Sequence, residues 1–207
     1  MASSLRTEVT ETQRSPRGSQ PLSRRQFEQA RGTHSQRLLD LRAARSLPTR
    51  PPYAVSFETK ESLWLQGQEA LHAQGLRGEA IGNEISNYVA MAPARNELMA
   101  RITFDPTTGQ QQVSSASRRA QEADAEQATD LVFCGHAVRG QLSKRAFGHG
   151  TASELVLYVG FHLTDQQAAH FCLFSSKVSF HVGRSKHRVA SVPLILRMRL
   201  AAEWAQS

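Results

Sequence analysis

Alternation of apolar and polar side chains toward the C-terminus is the feature that most constrains the fold of this chain. Between residues 154 and 163, large apolar side chains recur at every second position. A period of two is that of a β-strand, because successive side chains of a strand point to opposite faces of a sheet. The segments 131–138, 177–182 and 194–200 are further strand candidates. The last of them follows Pro193, where the missing N–H of a strand's first residue is tolerated.

The order of these strand candidates predicts the fold class. No clear helical pattern separates them, which favours an antiparallel sheet over alternating βαβ units. Two earlier segments, 53–57 and 100–104, also have the character of strands. We therefore expect a mainly β fold, an antiparallel sandwich of which a jelly roll is one form. Residues 61–74 and 79–92 carry apolar side chains near helical spacing, so an α+β fold with helices on one face of the sheet is the alternative.

The N-terminal segment differs in composition from the rest of the chain. It is rich in Ser, Thr, Gln, Arg and Pro, and Phe27 is the only Phe, Trp or Tyr among the first fifty residues. Such a segment buries too little apolar area to offset its ordering entropy. We predict a disordered, Arg-rich arm over residues 1–52, with nascent helices after Ser23 and over 35–45, and a Pro-rich hinge at its end. One folded domain is then expected over residues 53–207.

Basic side chains are concentrated at the two ends of the chain. Residues 1–50 carry ten Arg, no Lys and four acidic residues, while residues 166–202 carry six Lys or Arg residues and no acidic one. The formal net charge of the whole chain is +7. A polycation of this kind favours a polyanionic partner, and nucleic acid is the most common one.

The types of basic and aromatic residue predict how nucleic acid would be bound. Every basic residue of the arm is Arg, whose planar guanidinium matches a phosphate group bidentately. Few aromatic side chains lie between them, so we expect contacts with the phosphate backbone, without sequence preference and without base stacking. On the predicted last strand, Arg197 and Arg199 would share the polar face. The candidate nucleic-acid-binding residues are Arg14, Arg17, Arg24, Arg25, Arg31, Arg37, Arg42, Arg45, Lys177, Arg184, Lys186, Arg188, Arg197 and Arg199.

Cysteine and histidine residues form two pairs that suggest alternative sites. Cys134 and His136 are two residues apart, as are His170 and Cys172, and residues at this spacing point the same way on a strand. The four side chains have the chemistry of a tetrahedral zinc site, although their spacing matches no standard zinc motif. In a second interpretation, Cys134 is a nucleophilic thiolate and His136, or a His of a neighbouring strand, is its base. In a third, both cysteines are small buried apolar residues.

No standard catalytic or cofactor motif accompanies these pairs. The chain has no Gly-rich phosphate loop, no Gly-x-Ser-x-Gly elbow and no His-Glu-x-x-His, so we predict no cofactor and no particular enzymatic activity. Two cysteines make no disulfide framework, which is typical of an intracellular protein. The N-terminus lacks the apolar core of a secretory signal, and no apolar stretch approaches the roughly 20 residues of a membrane span. We therefore expect no membrane partner.

An Arg-rich arm, a Pro-rich hinge and a β-rich domain with a basic surface form a layout that resembles the coat proteins of small non-enveloped positive-strand RNA viruses of plants. In that family the arm neutralises packaged RNA and the β-domains form the shell. The resemblance implies an RNA-binding capsid protein that associates with itself, in the virion or in the host-cell cytoplasm. Two other functions agree with the same features: a bacterial secreted effector that acts in a host cell, with chemistry at Cys134, and a cellular RNA-binding protein.

Overall fold

The computed structural model describes residues 21–49, 53–74, 79–104, 120, 123–125, 127–147, 155–184 and 189–204. The main helices of these residues are α1 (Arg24–Ala43), α2 (Lys60–Gln74), α3 (Glu79–Val89), α4 (Asp165–Cys172) and α5 (Leu194–Trp204). The strands are β1 (Tyr53–Glu58), β2 (Glu97–Phe104), β3 (Thr129–Phe133), β4 (His136–Arg139), β5 (Gln141–Phe147), β6 (Leu155–His162), β7 (Val178–Val182) and β8 (Val189–Ser191). No helix in this described part is both long and apolar enough to cross a membrane.

The strands form two four-stranded sheets in which every neighbouring pair is antiparallel. The first sheet has the order β1-β2-β6-β5, and the second has the order β4-β3-β7-β8. The aromatic ring of Phe180 on β7 lies edge-on to two rings of the first sheet, at 5.9 Å from Phe57 and 5.6 Å from Phe161. The two sheets therefore share one apolar core.

Helices cover the other face of the first sheet. Met99 of β2 and Tyr158 of β6 pack in one apolar cluster with Leu63 of α2 and Tyr88 of α3. Strand β6 is consequently buried at every position except its last residue, His162. Its period of two, which predicted a strand, thus separates two buried faces rather than an inner face from an outer one.

The prediction of the fold class is confirmed only in its coarser form. Strands lie where the alternation predicted them at β1, β2, β6 and β7, and helices α2 and α3 lie where helical spacing was found. Helix, however, makes up about 47% of the described residues and strand about 31%. The fold is therefore the α+β alternative, with helices on one face of a sheet, and not a clear mainly β sandwich.

The segment 194–200, predicted as a strand, is the first part of helix α5. The carbonyl of Pro193 accepts hydrogen bonds from the N–H groups of Leu196 and Arg197, which begins the helix. Leu196 and Leu200 are both buried and lie four residues apart, so the same apolar residues fit a helical period as well as a period of two. With this change Arg197 and Arg199 lose the common face that a strand would have provided.

One other strand prediction, and the strand geometry assumed for His170 and Cys172, also need correction. Residues 131–138 form a hairpin, because Cys134 and Gly135 have φ values of 49° and 78° and turn the chain between β3 and β4. Two consecutive residues of positive φ are typical of the tight turns that match the twist of a hairpin. Residues 165–172, which include His170 and Cys172, form helix α4, whose N-terminus is capped by Thr164.

Helix α1 occupies most of the segment that the sequence predicted to be an arm. Ser23 is its N-cap, as expected, but one helix of 20 residues replaces the two short ones. Leu38 and Leu41 are buried in a cluster with Trp64 and Leu65 of α2. Residues 24–43 are thus packed onto the domain, while residues 1–20 and 50–52 lie outside the described residues.

Candidate anion-binding site

Most of the arginines of helix α1 and its C-terminal end are engaged in ion pairs within the fold. Arg42 pairs with a carboxylate that is completely buried, and Arg37 donates from both Nε and Nη2 to its partner. That hydrogen bonding raises the pKa of Arg37. The pairs are Arg24–Glu28, Arg31–Glu69, Arg37–Glu61, Arg42–Glu58 and Arg45–Glu203. These side chains hold helix α1 to α2, β1 and α5, apart from Arg24, whose partner lies in α1 itself.

The remaining predicted nucleic-acid contacts have several different environments. Arg25, Lys177, Arg184 and Arg199 are exposed. The Nη1 of Arg199 donates to the backbone carbonyl of Ala44. Four residues lie outside the described part of the chain: Arg14, Arg17, Lys186 and Arg188.

Arg197 is the exception, because it is only 3% exposed. Its Nη1 donates to the carbonyls of Phe171 and Leu173, at 2.6 and 2.9 Å, where helix α4 ends. Its Nε is buried without a hydrogen-bond partner, and no carboxylate of the described residues pairs with it. Burial lowers the pKa of this guanidinium. A buried charge without a counter-ion is unfavourable, so an anion beside this guanidinium would be stabilised.

A cavity of about 550 Å³ lies beside Arg197. We call it the Arg197 pocket. Its polar residues include the exposed cation Lys177 and three serines, one before β7, one in β7 and one at the end of β8. The polar residues of the pocket are Ser176, Lys177, Ser179, Ser191 and Arg197, and its apolar residues are Val178, Val189, Val192, Pro193 and Leu194.

The N-terminus of helix α5 forms part of the same pocket. Pro193 is at the position of the N-cap but has no side chain that could accept a hydrogen bond, and no acidic residue lies in the first turn. Among the described residues, nothing accepts from the N–H groups of Leu194 and Ile195. Free N–H groups and the helix dipole make such a terminus attractive to anions. Arg197, Lys177 and α5 thus contribute positive potential to one cavity.

The Cys and His pairs singled out in the sequence lie close to Arg197. Cys134 Sγ is 3.2 Å from Ser176 Oγ, and the ring of His136 stacks on that of His170 with 6.3 Å between centroids. Burial raises the pKa of the Cys172 thiol, and the charge of Arg197 opposes this rise. The fold therefore brings the two sequence motifs to one region of the molecule.

These four side chains do not form either of the sites that their spacing suggested. In the described ranges, no group of three or more His, Cys, Asp or Glu residues is arranged to hold a metal ion. The physical reason is that His170 and Cys172 lie on a helix, where residues two apart point in different directions. Cys134 has Ser176 as its hydrogen-bond partner, so within the described residues it forms no Cys–His pair, while His149 and His187 lie outside them.

Sequence reasoning missed the hydroxyl groups of the pocket and placed Arg197 on a surface. Ser176, Ser179 and Ser191 have no distinguishing pattern in the sequence. For Arg197, a signal was present: an arginine flanked by the apolar residues Leu196 and Met198, four positions after a proline that can begin a helix. That combination distinguishes a buried guanidinium from one on the polar face of a strand.

Comparison with known proteins places the fold but assigns no activity. No curated protein is significantly similar to this chain. A crystal structure of a protein of unknown function from Burkholderia pseudomallei is similar, with a TM-score of 0.67 and 17% identity, over 88% of this chain and 95% of that one. At this identity the likeness is one of fold alone. A family model described as protein of unknown function (DUF3501) matches residues 19–204, and the chain therefore belongs to the DUF3501 family.

Proposed function

We propose that this protein binds an anionic ligand whose phosphate group occupies the Arg197 pocket. The observation that carries the proposal is the guanidinium of Arg197, which is 3% exposed and has no carboxylate partner among the described residues. A bound phosphate would supply the missing counter-charge. Hydrogen bonds between ionised partners are about twice as strong as neutral ones, so a phosphate there would be held firmly.

The other groups of the pocket suit the same ligand. Ser179 and Ser191 are opposite each other on β7 and β8. The hydroxyl of Ser191 can donate to a phosphate oxygen, whereas Ser179 Oγ already lies 2.9 Å from His181 Nε2. The N–H groups at the start of α5 provide further donors. A volume of about 550 Å³ exceeds that of one phosphate group. It falls within the range of about 300 to 1,000 Å³ that is typical of small-molecule sites.

Thermal unfolding in the presence of pyrophosphate tests this proposal. A ligand that binds only the folded state stabilises it, so the melting temperature of the wild type should rise with pyrophosphate concentration. Lys177→Ala and Ser191→Ala should weaken this response. Lys60→Ala is the matched control, because Lys60 is exposed on α2 and does not line the pocket, and its substitution removes an equal charge. A wild-type melting temperature that does not change with millimolar pyrophosphate would reject the proposal.

RNA binding is the second candidate, and exposed basic residues on either side of β7 favour it. Lys177 precedes β7 at the pocket, and Arg184 follows the strand, next to the basic residues of segment 185–188. With a net charge of +7, the chain would be attracted to a polyanion whose phosphate enters the pocket. The packaging of RNA in particles, implied by the layout of plant-virus coat proteins, is the most specific form of this candidate.

Fluorescence polarisation with a single-stranded RNA separates the two candidates. RNA binding should weaken steeply with salt, and Lys177→Ala should reduce the steepness. Binding of pyrophosphate without binding of RNA would support the phosphate-binding site and reject RNA as its ligand. Light scattering with an absorbance ratio tests packaging, because a coat protein forms large particles that contain nucleic acid. Truncation for this purpose should remove only residues 1–20, since α1 belongs to the packed structure.

A further inference from the structure

A second cavity, of about 550 Å³, lies between the C-terminal end of α3 and the helix-covered face of the first sheet. Its residues differ in kind from those of the Arg197 pocket. It contains a carboxylate, an imidazole, a hydroxyl and an amide beside an apolar wall. The side chains that matter for its chemistry are Asn87, Met91, Glu97, Met99, Ser143 and His162.

Glu97 and His162 form a hydrogen-bonded pair in this cavity. They are directly opposite each other on β2 and β6, and His162 Nδ1 is 2.8 Å from Glu97 Oε1. The other oxygen, Oε2, accepts from the N–H of Ala94 at 3.0 Å, and the backbone carbonyl of Glu97 accepts from Trp204. The carboxylate is thus fixed at both oxygens. In the tautomer whose Nδ1–H donates to this carboxylate, Nε2 is the nitrogen that can accept a proton.

Ser143 is directed into the same cavity by an irregularity in the sheet. The register of β5 against β6 shifts between Leu142 and Lys144, so Ser143 is the extra residue of a β-bulge. Bulges redirect a side chain and are common beside active sites. A Cβ built on Gly160 would be 3.4 Å from Ser143 Oγ and 3.5 Å from Met99 Cε. Because position 160 is a glycine, the space between these side chains stays open.

The order of residues on β6 brings the hydroxyl and the imidazole to one side of the sheet. Gly160, which adjoins Ser143, lies two residues before His162, and residues at this spacing point to the same face of a strand. No hydrogen bond joins Ser143 to His162 in the structure. Such contacts are often long in free enzymes and close only when substrate is bound.

The remaining lining groups fit a substrate with a carbonyl group and an apolar chain. Asn87 is exposed on α3 and forms no hydrogen bond within the described part of the protein. A side-chain amide in this position can donate to a developing oxyanion, as asparagine does in some hydrolases. Met91 and Met99 are flexible apolar side chains that adapt to chains of different shape.

We propose that this cavity hydrolyses small carboxylic esters, with Ser143 as the nucleophile. Ser143 Oγ attacks the carbonyl carbon while His162 Nε2 takes the hydroxyl proton, and Asn87 stabilises the oxyanion. The ester C–O bond then breaks, and the departing alcohol takes the proton from His162. A water molecule, deprotonated by His162, releases the acid and restores Ser143. Glu97 is a positioning residue, since it contacts only the imidazole.

Labelling with a fluorophosphonate probe and turnover of p-nitrophenyl butyrate test the proposal on the full chain. We expect the wild type to be labelled at Ser143, as shown by mass spectrometry of the modified peptide. Ser143→Ala should abolish both labelling and turnover. Ser86→Ala is the matched control, because Ser86 is an exposed serine on α3 and should change neither. A wild type that is not labelled, or that is labelled at another serine, would overturn the proposal.

The roles of His162 and Glu97 are separated by a second set of measurements. His162→Ala should lower kcat by about 100-fold or more, which is the usual contribution of a general base. Glu97→Gln should lower kcat, leave KM unchanged and alter the pH profile of kcat, which a purely structural role would not do. Turnover that survives His162→Ala in a folded protein would overturn the assignment. Lys60→Ala should leave turnover unchanged. The two cavities share no lining residue, so this proposal stands or falls independently of the Arg197 pocket.

Discussion

Arg42 of helix α1 donates its Nε–H to Glu58 of strand β1, a carboxylate with no exposed side-chain surface, at 3.1 Å. Its Nη2 also donates to Gln66 of α2, at 2.7 Å. One guanidinium therefore links the helical layer to the edge of the first sheet. The second oxygen of Glu58, Oε2, is buried without a hydrogen-bond partner, so the charge of this carboxylate is balanced largely by Arg42. A residue that the sequence assigned to nucleic acid thus stabilises the fold.

Arg42→Ala should be strongly destabilising. It leaves the carboxylate of Glu58 buried and unpaired, and loss of one partner of a buried ion pair costs about 3 to 5 kcal/mol. Urea denaturation would measure the change in the free energy of unfolding. Arg24→Ala is the matched control: its pair with Glu28 is exposed and contributes about 0.5 kcal/mol or less. Equal effects of the two substitutions would contradict the buried role of Arg42.

Two neighbouring leucines distinguish a packed helix α1 from a flexible arm. Leu41 is 6% exposed and Leu39 is 61% exposed. Leu41→Ala should reduce the free energy of unfolding by about 2 to 5 kcal/mol, because it removes buried methyl groups and leaves a cavity. Leu39→Ala should change it by about 0.5 kcal/mol or less. In a flexible arm the two substitutions would be equally harmless.

The contact between Phe27 of α1 and His72 of α2 should make the fold sensitive to acid. The two rings are stacked with centroids 3.9 Å apart, and burial lowers the pKa of His72 below its ordinary 6.5. Between the lowered and the ordinary pKa, the unfolded chain binds more protons than the folded one. The stability contributed by neutral His72 is therefore complete above pH 6.5 and is lost as the pH falls through the lowered pKa.

Urea denaturation over a series of pH values measures this effect. His72→Phe retains an aromatic partner for Phe27 but cannot bind a proton, so its free energy of unfolding should depend less on pH in the acid range. Leu39→Ala is the control, because it changes an exposed side chain that binds no proton and should leave the pH dependence as it is in the wild type. A His72→Phe variant with the full acid dependence would contradict the assignment.

Two buried tyrosines should make the fold sensitive to alkali. Tyr88 of α3 and Tyr158 of β6 meet edge to face with centroids 6.0 Å apart, and burial raises the pKa of both phenols above 10.0. Above pH 10 the unfolded chain loses phenol protons that the folded chain keeps. The stability that the two protonated phenols contribute is therefore complete below pH 10 and is lost as the pH rises beyond it. Tyr88→Phe should flatten this decline in the free energy of unfolding, and an unchanged slope would contradict the prediction.

Periodicity was sufficient to predict the type of secondary structure where only one period fitted the sequence. The alternation over β6 and the spacing of Ile85 and Val89 in α3 each match one kind of element, and each element forms as expected. Periodicity failed over α5, because the spacing of Leu194, Leu196 and Leu200 fits both a strand and a helix. A contact distant in sequence decides this case: only a helix places Arg197 at the carbonyls that end α4.

The candidate sites were harder to predict from the sequence than the helices and strands were. The histidine and serine of the ester site lie on β6 and β5, and nothing in the sequence pairs them. Ser143 enters the cavity because of a bulge, and Glu97 reaches His162 because β2 and β6 are neighbours. Strand order and register are products of the whole fold, since they depend on which apolar faces are buried together.

The sequence by itself determined the number of basic residues, their position at the two ends of the chain, and the elements with an unambiguous period. Only the tertiary structure decided which of those charges form no ion pair within the fold. Arg45 and Glu203 are 158 positions apart and form an ion pair, whereas Arg197 is buried without a carboxylate of the described residues. The physical reason is that ion pairing acts over a few ångströms in space and is independent of separation along the chain. A charge pattern therefore indicates a possible partner, and the fold determines which charges can meet it.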